Sequence, residues 1–151
     1  MSAKGKIKSK YDNNSIKEPE KDNSYPVFCF KHITTNKKYN INFFKKSKDK
    51  QRAYGALFYL IDEMQQMTWK DFMSLPKEIG MESIKSSELN FQPNDYGLTP
   101  DQKVVVIRFN RQKYRAIGIK ERIPGASDKD CVDIFHVFGF DFDYSAYNHG
   151  K

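Results

Sequence analysis

Apolar and polar residues begin to alternate at residue 25, and the first pattern predicts a β-hairpin. The run Tyr25–Ile33 is rich in Val, Phe and Cys, and Pro26 stands where a strand can begin. In Lys38–Phe44 every second residue is apolar or aromatic, which is the period of a strand. Because a short polar link separates the two runs, they are expected to pair as an N-terminal hairpin.

The period changes to that of a helix after the charged link 45–50. Five residues at helical spacing predict one buried helix face: Tyr54, Leu57, Phe58, Ile61 and Met64. Thr68, with Asp71 three residues later, is typical of a capping box and predicts a second helix that stops before Pro76. Trp69, Phe72 and Met73 are expected to share its packed face. A third short helix is expected over Glu78–Leu89, before a Pro-containing loop at 90–102.

The last third of the chain reads as β-structure. Apolar runs at 104–109, 113–121 and 131–140 are separated by a tight turn at 110–112 and a Pro-Gly loop at 122–130. Three such runs with short links predict a three-stranded antiparallel meander that forms one sheet packed on the helices. Since strands and helices are segregated along the chain, the fold class is expected to be α+β.

Composition divides the chain into two parts. Residues 1–24 interleave lysines and acids with Asn, Ser and Pro, which predicts a disordered basic tail. Residues 25–151 are then expected to form a single α+β domain, whose 12 Phe and 8 Tyr supply a core. The net charge of +7 favours a polyanionic or acidic partner.

The sequence also predicts the compartment. It has neither the apolar segment of a signal peptide nor an apolar run near the ~18 residues of a membrane span, so a cytoplasmic protein with no membrane association is expected. Cys29 and Cys131 are expected to be reduced, buried small hydrophobes, because no CxxC or Cys/His cluster suggests zinc.

Basic residues concentrate around the tight turn of the predicted meander. Arg108, Arg111 and Lys113 are expected to bind RNA phosphate, because guanidinium and ammonium groups stabilise phosphate charge. Arg115 shares its strand face with Ile117 and Ile119, so that face is expected to be packed. The alternative is an ordinary hairpin with a solvated charged face.

Residues 69–147 resemble the RelE/ParE-like toxin superfamily of bacterial and phage proteins. The residues that carry the resemblance are WKDFMSLPKEIGMESI, VVVIRFNRQKYRAIGI and VDIFHVFGFDFDYSAY. In that superfamily a helical hairpin precedes a β-meander, one strand often carries a Tyr-Arg pair, here Tyr114-Arg115, and a histidine or tyrosine lies near the C-terminus, here His149 or Tyr147. Members include ribonucleases, gyrase poisons and proteins of no known activity.

The resemblance and the basic hairpin together imply a metal-independent endoribonuclease that cleaves RNA by attack of the 2′-hydroxyl, with no cofactor. The candidate catalytic residues are Lys113, Arg115, His136, Tyr147 and His149. The expected partners are RNA, free or on the ribosome, and a small antitoxin protein.

Three other interpretations stay open. The chain could be a non-catalytic accessory protein of a phage or mobile element that binds nucleic acid or protein. It could be an interaction protein that uses the aromatic face of the first hairpin. Asp141 and Asp143 could form a metal pair, because alternate residues of a strand point the same way, although a turn into the last Tyr-rich segment is the more ordinary role.

Overall fold

The chain has an α+β fold built on a mixed five-stranded sheet, in a computed structural model that describes residues 25–76, 80–125 and 132–149. The predicted tail at 1–24 lies outside the described residues, as does Cys131. The strands are β1 (Pro26–Cys29), β2 (Met81–Lys85), β3 (Lys103–Phe109), β4 (Tyr114–Ile123) and β5 (Val132–Asp141). Their order across the sheet is β1-β5-β4-β3-β2, with β1 parallel to β5 and the other neighbours antiparallel.

The N-terminal hairpin prediction was wrong. The first strand is present, but Lys37–Tyr39 and Ile41–Phe43 are single 3-10 turns. The side-chain oxygen of Asn36 accepts from the backbone N–H of Lys38, and that of Asn40 accepts from Asn42. These local bonds compete with a sheet ladder, so β1 pairs with β5 instead.

The first helix, α1, spans Ser47–Gln65, but its buried stripe differs from the predicted one. Ala53, Leu57, Leu60 and Met64 are buried. Tyr54 and Phe58 are 45% and 65% exposed, so the helix is rotated from the predicted orientation.

The second helix, α2, spans Trp69–Met73 and begins as predicted. Thr68 Oγ1 accepts from the Asp71 N–H at 3.2 Å. Trp69 and Phe72 are buried, whereas Met73 is 54% exposed and does not belong to the packed face.

The third helix prediction was also wrong. The part of it that the structure describes is β2 followed by a 3-10 turn at Ser86–Glu88. β2 pairs in antiparallel register along the otherwise open edge of β3. Tertiary pairing has therefore overridden the helical tendency of this short segment.

The three strands predicted for the meander, β3, β4 and β5, pair in chain order. The sheet is nevertheless not the predicted three-stranded one, because β2 and β1 extend it on either side. Asn110, Arg111 and Gln112 all have φ between 53° and 69° and form the tight turn between β3 and β4.

A β-bulge in β5 determines on which face of the sheet the side chains of its C-terminal half lie. Ile117 pairs with Gly139 and Gly118 pairs with Val137, so Phe138 is the extra residue. A Cβ on Gly118 would collide with the His136 carbonyl group, which explains glycine at the bulge. Beyond the bulge the alternation is reversed, and Asp141 comes to pair with Arg115.

Both sheet faces carry a core. On the helix face, α1 and α2 pack on a cluster that includes Ile107, Phe135 and Val137. On the opposite face, here called the loop face, connecting segments and the C-terminal segment pack on a cluster that includes Val106 and Ile117. Among the described helices, none has both the length and the apolar character needed to cross a bilayer.

Candidate functional site

A cleft of about 330 Å³ opens at one end of the loop face, where β2, β3 and β4 meet the C-terminal segment. This arginine cleft is lined by Glu82, Ile84, Arg108, Arg115, Tyr147, Asn148 and His149. Four of these residues were predicted as site residues from the sequence. The fold thus brings Arg108 and Arg115 together with Tyr147 and His149.

Arg115 is the buried cation of this cleft. It is 7% exposed, on the same face as Ile117, as the alternation predicted. Its guanidinium lies 4.7 Å from the ring centroid of Tyr144, and Nη1 donates to the Gln112 carbonyl at 3.3 Å. Its Nε–H has no acceptor among the described residues. A buried donor without a partner is costly, so an oxyanion in the cleft would supply a missing acceptor.

Glu82 connects Arg108 to Tyr147. One carboxylate oxygen, Oε2, accepts from Arg108 Nη2 and from the Tyr147 hydroxyl, each at 3.0 Å. Burial, followed by the Glu82 carboxylate, raises the pKa of Tyr147 to about 12 against the opposing effect of Arg115. Tyr147 is therefore a neutral phenol at physiological pH and acts as a hydrogen-bond donor.

His149 forms a dyad with a buried carboxylate. His149 Nε2 lies 2.9 Å from Asp141 Oδ2, and Asp141 is fully buried. The other oxygen of Asp141 accepts from the backbone N–H groups of Ser145 and Asp143. These bonds fix the carboxylate, which in turn orients the imidazole, as in catalytic acid–base pairs. The His149 ring also packs on Tyr147, with centroids 4.0 Å apart.

These contacts favour the turn interpretation of Asp141 and Asp143 over a metal pair. Asp141 directs its oxygens to backbone N–H groups and to His149, and Asp143 bonds to the Ser145 hydroxyl. Within the described ranges, no group of three or more His, Cys, Asp or Glu residues is arranged to hold a metal ion.

His136 does not join the cleft. It lies five residues before Asp141 on β5, about 16 Å away at the usual rise of a strand. Its Nε2 lies 2.7 Å from Glu121 Oε1, and its ring lies beside those of His32 and Tyr96. This second cluster, here called the histidine end, occupies the other end of the loop face.

The turn residues Arg111 and Lys113 are exposed and are not among those that line the arginine cleft. Arg111 lines a different cleft on the helix side, together with Tyr59 and Glu63 of α1. They therefore stand at the sheet end, where a long polyanion could reach them, and not beside His149.

Sequence reasoning missed Glu82 and the role of Asp141. Glu82 was placed in a helix, although Pro76 and Gly80 before it are a signal for a turn into a strand. Asp141 was considered as a turn residue or as one of a metal pair, and not as the partner of a histidine. No signal in the alternation pointed to its partnership with His149, because the bulge reverses the alternation.

Comparison of the chain with family models, with curated proteins and with solved structures gives no match. The assignment of a function therefore depends on the geometry of the cleft.

Proposed function

We propose that this chain is a metal-independent endoribonuclease that cleaves RNA by attack of the substrate's own 2′-hydroxyl. One observation carries the proposal: a buried arginine, whose Nε–H has no acceptor among the described residues, lines a cleft that also contains a histidine oriented by a buried aspartate. Such a reaction needs an anion-binding group and two proton-transfer groups, and it needs no cofactor.

Each group in the arginine cleft has a role in this scheme. Arg115, with Arg108, binds the scissile phosphate and stabilises the charge that develops on its oxygens. Glu82 accepts the proton of the 2′-hydroxyl as the 2′-oxygen attacks phosphorus. His149, as an imidazolium held by Asp141, gives a proton to the departing 5′-oxygen. The products are a 2′,3′-cyclic phosphate and a free 5′-hydroxyl.

Tyr147 is assigned a positioning role in place of the acid–base role predicted from the sequence. With a pKa of about 12, its phenol keeps its proton and holds Glu82 by a 3.0 Å hydrogen bond. Its ring also supports that of His149. Arg111 and Lys113 are assigned to more distant phosphates of the same RNA, in keeping with their exposure at the turn.

The proposal includes a biological setting of the toxin–antitoxin kind, in the cytoplasm. The net charge of +7 suits both RNA, free or on the ribosome, and a small acidic antitoxin. The superfamily resemblance over residues 69–147 is consistent with this setting and remains a prediction. Expression of the chain in bacteria is expected to arrest growth. Expression of the His149→Ala variant is expected to leave growth unaffected.

The chemistry is tested with two matched oligonucleotides, one all-RNA and one carrying a single 2′-deoxy nucleotide at the cleaved position. The full chain is expected to cut the first in the presence of a chelator, to leave a 2′,3′-cyclic phosphate, and to spare the second at that position. Cleavage that requires a divalent metal, or that proceeds at the 2′-deoxy site, contradicts the mechanism. Saturable RNA binding without cleavage would instead favour the non-catalytic accessory role.

A further inference from the structure

A second cleft, of about 260 Å³, lies on the helix face of the sheet, on the opposite side from the arginine cleft. It is lined by Trp69, Lys70, Met73, Lys120 and Arg122. The residues come from α2 and from the far half of β4, and none of them has a part in the proposed cleavage reaction.

Among the described residues, the cleft combines two lysines that lack a carboxylate partner with an indole N–H that lacks an acceptor. Lys70 and Lys120 have no carboxylate partner among the described residues, and Lys120 Nζ lies 5.6 Å from the Trp69 ring centroid. Trp69 is 1% exposed, yet its indole N–H has no acceptor there. Buried indole N–H groups normally find an acceptor, and an oxygen of a ligand bound in the cleft would supply one.

The charges in the cleft indicate the ligand class. Arg122 makes a bidentate pair with the buried Asp133 carboxylate, through Nε at 2.9 Å and Nη2 at 2.8 Å. The charges of these two side chains offset each other, and Lys70 and Lys120 are the other charged residues among the described ones that line the cleft. A phosphate monoester or inorganic phosphate carries close to two negative charges near pH 7 and presents several acceptor oxygens.

We propose that this cleft binds a dianionic phosphate group, with the Trp69 indole N–H and the ammonium groups of Lys70 and Lys120 as its donors. A phosphodiester carries a single charge and has fewer free oxygens, so it is expected to bind more weakly. The site does not depend on the proposed ribonuclease activity, since the two clefts share no residue.

The chain contains a single tryptophan, which supplies a direct reporter. In the full-length ¹⁵N-labelled protein, the one indole N–H resonance is expected to move saturably as inorganic phosphate is added. Chloride at matched ionic strength is expected to leave it in place. Adenosine 5′-monophosphate and dimethyl phosphate, titrated in parallel, test the monoester and the diester.

Lys120→Gln and Lys70→Gln are each expected to weaken phosphate binding about tenfold, the effect of losing one charge-assisted hydrogen bond. Lys37→Gln, which removes an exposed lysine of the 3-10 turn Lys37–Tyr39, is the matched control and is expected to leave the midpoint unchanged. The dispersion of the amide spectrum shows that each variant is folded.

The proposal is overturned if the indole resonance stays fixed, if chloride moves it equally, or if both lysine variants bind phosphate as well as wild type. Equal binding of dimethyl phosphate overturns the preference for a dianion. Binding of the nucleotide supports a phosphate ester as the ligand, whereas binding of inorganic phosphate alone supports the free ion.

Discussion

The two ends of the loop face carry nearly the same residue types in different arrangements. At the arginine cleft, His149 bonds to Asp141, and Tyr147 bonds to Glu82. At the histidine end, His136 bonds to Glu121, and Tyr96 lies beside it. In both places burial, followed by the neighbouring glutamate, raises the pKa of a tyrosine.

The two ends differ in how deeply the carboxylate that bonds to the histidine is buried and in the arginines beside it. Asp141 is fully buried and is anchored by two backbone N–H groups, whereas the Glu121 side chain is 48% exposed. The arginine cleft adds two guanidinium groups, from Arg108 and Arg115. In the arginine cleft, therefore, a buried carboxylate fixes the histidine beside two arginines, and this is the arrangement proposed to bind an anion and transfer protons.

The largest expected effect separates the two histidines. His149→Ala is expected to lower the RNA cleavage rate by about 10²–10⁴, the usual contribution of a general acid or base. His136→Ala, at the other end of the same face, is expected to leave the rate within about twofold. Single-turnover cleavage of a short RNA by both variants measures this. Equal losses, or a larger loss for His136→Ala, would place the chemistry at the histidine end.

The second prediction concerns Arg115, the buried cation of the arginine cleft. Arg115→Ala is expected to lower the cleavage rate by about 10²–10³, the cost of losing one group that stabilises transition-state charge. It should also destabilise the fold by about 1–3 kcal/mol, because its packing on Tyr144 is lost with its charge. Arg115→Lys keeps the positive charge but loses the planar guanidinium, so it separates the effect of charge from that of guanidinium geometry.

Both the cleavage rate and the denaturant midpoint of the Arg115 variants are to be measured. An Arg115→Ala protein that loses stability but keeps full activity would reduce Arg115 to a structural residue. An Arg115→Lys protein as active as wild type would show that charge, and not the planar guanidinium, is what the cleft requires.

Local signals in the sequence predicted several elements of this fold. The Thr68 cap, the helical period of α1 and the β-branched run of β3 are each local features, and each led to the correct element type. The pairing of β1 with β5 and of β2 with β3 depends on partners distant in sequence. Short segments without strong local preference therefore misled the prediction, as at residues 38–44 and 81–85.

The candidate site was predictable in its residue types but not in its grouping. Arg108, Arg115, Tyr147 and His149 were all identified, yet His136 was grouped with them because it lies in the strand that follows the basic hairpin. A one-residue bulge at Phe138 decides that Asp141 faces Arg115. Such a shift in register leaves no mark in the hydrophobic pattern, since Phe138 and Phe140 are both buried, on opposite faces.

The third prediction concerns Tyr147 of the arginine cleft, whose raised pKa should make the stability of the fold depend on pH. The folded pKa of Tyr147, about 12, lies above the ordinary value of 10.0, so folding favours the protonated form. Its contribution is fully present below pH 10 and is lost as pH rises from 10 to 12, because the unfolded chain then releases a proton that the folded chain retains. The free energy of unfolding is therefore expected to fall over that range, by about 1–3 kcal/mol for this group.

Urea titrations of wild type and Tyr147→Phe at pH 9, 10, 11 and 12 isolate this effect, because the other tyrosines are common to both proteins. The difference in unfolding free energy between the two is expected to shrink as pH rises. A difference that is constant with pH would show that Tyr147 titrates near 10 and is not held by Glu82. Tyr96→Phe, at the histidine end, provides the matched comparison.

The smallest expected effect on RNA cleavage comes from the residues of the β3–β4 turn, which belong neither to the arginine cleft nor to the histidine end. Arg111 and Lys113 are exposed and line neither the arginine cleft nor the histidine end, so they are expected to contact only flanking phosphates. The Arg111→Ala/Lys113→Ala double variant should weaken RNA binding by about tenfold or less at low salt. It should also reduce the slope of log affinity against log salt by about 0.7 per lost phosphate contact. Its melting temperature should stay near that of wild type, because exposed charges add little stability.

The rate of cleavage by the double variant at saturating RNA should be unchanged, since neither side chain reaches the reacting phosphate. Abolition of cleavage by this variant at saturating RNA would instead move the active surface to the turn, and the arginine cleft would then be a structural feature of the sheet.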